Sequence, residues 1–265
     1  MSTPSPRLLI VAGSDSSGGA GLQADIKTAS AFGVYAMTAV TAVTVQDTRR
    51  VHSVTLLSPK SVRDQIRVCL GDLGADAIKI GMLGSAAIVE AVVGALKRHA
   101  PDIPIVLDPV MLSTAGKRLL ARDAVETFKS KLLPLGTLVT PNIPEAKALV
   151  GMRGSRRDEA ERAARKLMAL GSRAALIKGG HSTGSTSDDI LVWEGGVELY
   201  GFPRLRTKHT HGTGCALSTA IACGLAKGQP LPLATGRARE FVQHTIETAP
   251  GFGRGHGPLN LIGRR

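Results

Sequence analysis

Short apolar runs separated by stretches of helical period repeat along nearly the whole chain. LLIVA (8–12) is a continuous apolar run, the pattern of a strand buried on both faces. A helix near 22–32 follows it, closed by Gly33. VYAMTAVTAVTVQ (34–46) is rich in β-branched residues and predicts a strand. A hairpin-like turn at 47–50 then leads to the shorter strand VHSVTLL. The theme continues with a helix at 61–70, strand at 77–80, helix at 86–99, strand at 103–107, helix at 121–131 and strand at 137–140. Helices at 143–150 and 158–170 precede a strand at 174–178. Strands at 189–193 and 197–202 predict an antiparallel hairpin around Gly195 and Gly196. Two helices close the pattern, one after a Gly-Thr-Gly turn and one near 234–248.

Apolar strands alternating with helices predict an α/β fold, a mostly parallel central sheet covered by helices on both faces. Ligands bind such sheets beyond the carboxyl ends of the strands. The polar and glycine-bearing segments fall there: AGSDSSGGAG, VQDT, KIGML, LDPVM, VTPNIPEA and IKGGH. Their recurrence points to a single large site. No linker, repeat or low-complexity stretch interrupts the pattern, so one domain over 1–265 is expected, with 1–6 a flexible terminus.

Composition narrows the function. At 265 residues the chain is long enough for a substantial core, and aromatics at 3% leave that core to Ala, Val, Leu and Ile. The net charge of +12 invites a nucleic-acid reading. Against it, basic residues are dispersed and stacking aromatics are nearly absent. The densest basic run, 153–166, is interleaved with Asp158, Glu159 and Glu161 and reads as a solvated helix face. A positive field that draws in anionic substrates is the better consequence. Cys69, Cys215 and Cys223 match neither a disulfide framework nor a zinc site and suit a reducing cytoplasm. Cys69 and Cys223 read as core fillers. The apolar run at the amino terminus is too short for a signal peptide, and no run of about 18 apolar residues predicts a membrane span.

The densest chemical signal is KHTHGTGCALSTAIACGLAKG (208–228). Gly212, Thr213 and Gly214 form a side-chain-poor turn running into a small, apolar helix. Such a turn aims unpaired N–H groups and the positive end of the helix dipole at one point, a place for phosphate or an oxyanion. Cys215 lies in the first helical turn, where the dipole favours thiolate. The same segment also suits a plain turn before a core helix carrying a buried cysteine.

No Walker loop, G-x-G-x-x-G or H-R-D signature is present. Phosphoryl transfer needs a cation for the polyphosphate, carboxylates for a metal and a backbone cradle. Lys178 in IKGGH supplies the cation, or is a surface lysine before a turn. Asp108 in LDPVM, and Asn142 with Glu145 in TPNIPEA, are hard oxygen donors suited to Mg²⁺. Asn142, Pro144 and Glu145 equally suit an ordinary helix start. His209 and His211 carry no role that the sequence assigns.

Taken together, AGSDSSGGAGLQADIKT, VQDT, KIGML, LDPVM, TPNIPEA, IKGGH, THGTGC and the closing GHGPLN resemble the ribokinase-like superfamily. Within it they resemble the hydroxymethylpyrimidine/phosphomethylpyrimidine kinases of thiamin biosynthesis, over essentially the whole chain. The resemblance implies a ribokinase-like fold, ATP and Mg²⁺ as cofactors and a homodimer. It implies two successive phosphorylations of 4-amino-5-hydroxymethyl-2-methylpyrimidine, to the monophosphate and then the diphosphate. By the same resemblance Gln46 would hold the pyrimidine, since a carboxamide offers one donor and one acceptor side to an aminopyrimidine edge. Gly13, Ala20, Asp25 and Met82 would shape that pocket. Gly212 and Gly214 would supply the anion-hole amides and Cys215 would take the hydroxyl proton. Lys178, Asp108, Asn142, Glu145 and Thr210 would serve the nucleotide phosphates and their metal. Pyridoxal or pyridoxine kinase, which shares the fold and acts on a similar heteroaromatic alcohol, is the alternative. The segment 182–188 reads as a mobile lid or an ordinary surface loop.

Overall fold

In the computed structural model residues 5–113, 116–181 and 185–262 are described. Residues 1–4 of the expected flexible terminus, and 182–184 of the lid candidate, lie outside them.

Among the described residues nine strands form one sheet: β1 (Arg7–Asp15), β2 (Tyr35–Gln46), β3 (Val51–Leu56), β4 (Ala77–Ile80), β5 (Ile105–Leu107), β6 (Leu138–Val139), β7 (Ala175–Ile177), β8 (Thr186–Trp193) and β9 (Gly196–Pro203). Their order is β3-β2-β1-β4-β5-β6-β7-β8-β9. The pairings from β2 through β7 are parallel, whereas β3 and the β8–β9 hairpin pair antiparallel at the two edges. The helices are α1 (Gly21–Ala31), α2 (Pro59–Asp72), α3 (Ala86–His99), α4 (Ala124–Thr127), α5 (Ile143–Val150), α6 (Arg157–Ala169), α7 (Thr213–Ala226) and α8 (Leu231–Glu247).

Side-chain alternation along each strand divides the core into two layers. Leu9 and Val11 of β1 and Ile78 and Ile80 of β4 pack on the face carrying α2, α3, α5 and α6. Leu8, Ile10 and Ala12 of β1 and Ala77 of β4 pack on the face carrying α1, α7 and α8. Because both faces are covered, the central strands read as unbroken apolar runs rather than as alternating ones. Helix α7 is buried at every position from Ala216 to Gly224, as expected of a helix whose residues are small and apolar all round.

Two elements depart from the sequence reading. Strand β1 runs on to Asp15, with a register irregularity between Ala12 and Ser14, so the glycine-bearing segment begins inside the strand. The helix expected at 121–131 is one short α-turn followed by a π-helical stretch (Phe128–Leu132) and a 3₁₀ turn (Leu133–Leu135). Pro134, with no N–H to donate, sits in that final turn.

Strand β1 has β2 on one side and β4 on the other; α1, which leaves β1, lies on one face of the sheet and α3, which leaves β4, on the other. Order reversal of this kind opens a crevice at the carboxyl ends of the two strands.

Candidate active site

A cavity of about 560 Å³ lies in that crevice. Gly13, Ala20, Gln46, Met82, Asp108, Asn142, Glu145, Lys178, Thr210, Gly212, Gly214 and Cys215 all line it. These residues, up to 202 positions apart from Gly13 to Cys215, thus share one chamber.

The chamber is built round the start of α7. Gly212 caps the helix with φ 87°, a conformation only glycine adopts cheaply. A Cβ there would also fall on the Gly19 carbonyl, so the turn presses directly against the first loop. Thr213 donates its hydroxyl to the Thr210 carbonyl at 2.7 Å, fixing the approach to the turn. Gly214 leaves room for its neighbours: a Cβ there would stand 3.2 Å from Lys178 Nζ and 3.6 Å from Asp108 Oδ2.

The side of the chamber next to Gly214 is charged. Lys178 Nζ pairs with Asp108 Oδ1 at 2.8 Å, both groups largely buried. Burial works to lower the Lys178 pKa, but Asp108 and Glu145 outweigh it and the ammonium is held above its usual range. Asn142 and Glu145 form a capping box: Glu145 N–H donates to Asn142 Oδ1 at 2.9 Å, and Asn142 N–H donates to Glu145 Oε2 at 2.8 Å. The helix-start reading of TPNIPEA therefore holds, and the same residues face the cavity. Burial, aided by the nearby Asp108 charge and opposed by Lys178, pushes the Glu145 carboxyl up to about 7. A second buried pair, Arg239 with Asp189 (3.0 Å), also lines this side, and Asp189 Oδ1 accepts the Gly179 N–H at 2.8 Å.

Two sequence expectations are corrected. Asp25 does not line the cavity: it is fully buried, 2.7 Å from Lys79 Nζ, and accepts the Thr219 hydroxyl at 2.7 Å. Its place is beneath the site, tying α1 to β4 and α7. Nor is Cys215 biased towards thiolate. Burial, with the Asp25 and Asp108 charges, overrides Lys79 and the amide of Gly21, and pushes the thiol up to about 12. The helix-end argument fails because desolvation of this half-buried thiol by the surrounding protein exceeds what the dipole returns.

Lys79 is the group that the sequence reading missed. It is wholly buried in AIKI yet lines the cavity floor, and its charge is stabilised chiefly by Asp25, with help from Asp108. A lysine inside a buried apolar strand must find a carboxylate, and that rule alone would have flagged it. The Asp15–His211 pair, 2.8 Å apart across 196 positions, left no signal of this kind.

The sequence profile of a family described as phosphomethylpyrimidine kinase matches residues 15–260. A hydroxymethylpyrimidine/phosphomethylpyrimidine kinase of Streptomyces coelicolor is 46% identical over 96% of this chain and 94% of its own. Among solved structures, an ADP complex of Bacillus subtilis pyridoxal kinase superposes with a TM-score of 0.89 at 33% identity, covering 97% of each chain. A phosphomethylpyrimidine kinase of Clostridium difficile superposes at 0.81 with 38% identity, over 92% of this chain and all of the other.

Proposed function

The chain belongs to the phosphomethylpyrimidine kinase family, and from that premise we propose how the cavity divides the work. The protein is a ribokinase-like kinase of thiamin biosynthesis that uses ATP to phosphorylate 4-amino-5-hydroxymethyl-2-methylpyrimidine, first to the monophosphate and then to the diphosphate. The observation that carries the division of labour is that Gln46 and Cys215 line the same chamber, with the head of α7 beside the sulfur.

In this reading Gln46, Gly13, Ala20 and Met82 hold the pyrimidine so that its hydroxymethyl group meets Cys215. The amides of Gly212 and Gly214 cradle the migrating phosphoryl group, whose charge grows on equatorial oxygens in a loose transition state. Lys178 neutralises nucleotide phosphate, with Asn142 and Thr210 placed alongside. The acceptor hydroxyl gives up its proton late in such a transition state. Cys215 receives it only as thiolate, and Lys79 beneath supplies the positive charge that favours ionisation against Asp25 and Asp108.

Magnesium fits the residues present. No group of three His, Cys, Asp or Glu side chains among the described residues makes a metal cage. A Mg²⁺ ion on phosphate asks instead for one or two carboxylates and keeps its waters. Glu145, held near neutrality by burial beside Asp108, is a carboxyl that an arriving cation would ionise. Glu145 and Asp108 would hold the ion, which supplies charge neutralisation to the phosphates.

We also propose a homodimer joined through the β2–β3 edge, where Val43 and Val45 present exposed side chains on one face of β2. A cytoplasmic setting is supported by three free thiols and by the family's activity. No helix among the described residues is long and apolar enough to cross a membrane.

Mass spectrometry of products from the hydroxymethylpyrimidine, ATP and magnesium tests the activity, with monophosphate and diphosphate expected in succession. Failure to form either product would reject it. Pyridoxal competes for the same fold's chemistry, since the Bacillus subtilis neighbour is a pyridoxal kinase. Steady-state competition between pyridoxal and the pyrimidine measures that side activity.

A further inference from the structure

The Gln46 carboxamide has a nitrogen 3.1 Å from Nε2 of His211. That same imidazole nitrogen is 2.8 Å from Asp15 Oδ2. One ring nitrogen cannot accept from an amide and donate to a carboxylate at once. Which role it plays is decided by Asp15. That carboxylate already accepts the Ser17 N–H at 2.9 Å, the Ser17 hydroxyl at 2.8 Å and the Ala20 N–H at 2.9 Å. Every other partner of the Asp15 carboxylate is a donor, so its oxygen facing the ring is an acceptor too. Burial alone would raise its pKa, but the hydrogen bonds from His211 and Ser17 prevail and hold the carboxyl below its usual range. Nε2 of His211 therefore carries a hydrogen.

The end of the Gln46 carboxamide that meets this hydrogen must then be its oxygen, because the two ends of an amide are interchangeable in outline and are assigned from their partners. Thr44 agrees. Its hydroxyl donates to the Ser14 carbonyl at 2.9 Å, so it meets the other end of the carboxamide, 3.5 Å away, as an acceptor for N–H. The backbone of Gln46 has no freedom to relieve the choice. Ser16 Oγ donates to the Gln46 carbonyl and accepts its N–H, each at 2.9 Å. The ring is equally fixed, since a Cβ on Gly19 would strike it and the His211 N–H donates to the Gly257 carbonyl at 3.1 Å.

We propose that His211, locked by Asp15, sets which end of the Gln46 carboxamide faces which edge of the substrate, making the pair a positioning and specificity device. The inference rests on the pyrimidine-kinase reading above. A carboxamide with its oxygen turned to His211 offers acceptor and donor to the ring in one order only. An aminopyrimidine edge answers that order with an amine N–H and a bare ring nitrogen. The 4-oxo analogue presents the reverse, a carbonyl beside a ring N–H. Neither ring can turn over to suit, because its hydroxymethyl group must reach the head of α7. A carboxamide free to rotate would accept both.

Steady-state kinetics of the full-length protein on the 4-amino pyrimidine and its 4-oxo analogue test this, in wild type, His211→Phe, Asp15→Asn and Gln46→Leu. Sites built on paired hydrogen bonds reject mismatched analogues strongly, so wild type is expected to prefer the amine by at least about a hundredfold. His211→Phe and Asp15→Asn should each narrow that preference about tenfold or more, mainly through KM for the amine, with KM for ATP nearly unchanged. An unchanged preference in both variants, with normal KM for ATP, would overturn the positioning role. If Gln46→Leu leaves KM for the amine untouched, the pyrimidine-binding reading fails instead. A further readout needs no variant: two-bond ¹⁵N–¹H correlation spectra should show the His211 hydrogen on Nε2, and a hydrogen on Nδ1 alone would end the proposal.

Discussion

The two sides of the cavity solve opposite problems. Around Gln46, polar groups are already paired with each other: Asp15 with Ser17, Ala20 and His211, and Thr44 with Ser14. Around Lys178, charges are crowded and incompletely balanced, with Asp108 and Glu145 both drawn to one ammonium and Glu145 pushed up to about 7. An uncharged ring is recognised by dipoles fixed before it arrives. A polyphosphate is recognised by charges that reach balance only when it and its metal are bound. The contrast teaches that preorganisation here means geometry on one side and stored electrostatic tension on the other.

The turn between the two sides is where both fail together. Gly212→Ala demands a Cβ at φ 87° against the Gly19 carbonyl. It is expected to lower kcat by about a thousandfold or more, the scale of losing anion-hole donors, and to lower Tm as well. Retained turnover in rapid-quench assays would show that the amides do not carry the reaction.

Cys215→Ala should then cost about a hundredfold or more in kcat, with KM for the pyrimidine changed little. With the thiol at about 12, wild-type kcat should climb with pH from 7 to 9 without a plateau. A variant that keeps both turnover and the pH slope would remove sulfur from the mechanism.

Gln46→Leu sharpens the comparison from the other side. A lost hydrogen-bonding partner there should raise KM for the pyrimidine about ten- to a hundredfold, while leaving KM for ATP nearly unchanged.

The smallest effect tests the stored tension directly. Glu145 has a folded-state pKa near 7 against an ordinary 4.5, so its favourable contribution is complete below about 4.5 and fades as pH rises through 7. Glu145→Gln keeps an acceptor for the capping box, and should raise Tm at pH 8 by about 3 °C while changing it less at pH 5. Thermal scans showing an equal gain at both values would mean that the crowding is not felt.

Much of the charged side was legible in the sequence. Asp108, Asn142, Glu145 and Lys178 each stand just past an apolar run, and in a parallel sheet that position leads to the ligand. Lys79 was legible in principle, as a lysine inside a buried strand. Asp25 was misplaced because a carboxylate one helical turn inside α1 faces the sheet, where Lys79 waits. The Cys215 thiolate was misjudged because its position in the first turn was visible, whereas its desolvation and the Asp25 and Asp108 charges around it were not.

By itself, then, the sequence determined the order of strands and helices, the parallel sheet and the glycine turn at α7, because each depends on local periodicity or on backbone conformations that few residues can adopt. Only the tertiary structure decided how charge and hydrogen are distributed inside the cavity. Ionisation depends on the solvent that burial removes, and the direction of a carboxamide depends on a histidine 165 positions away.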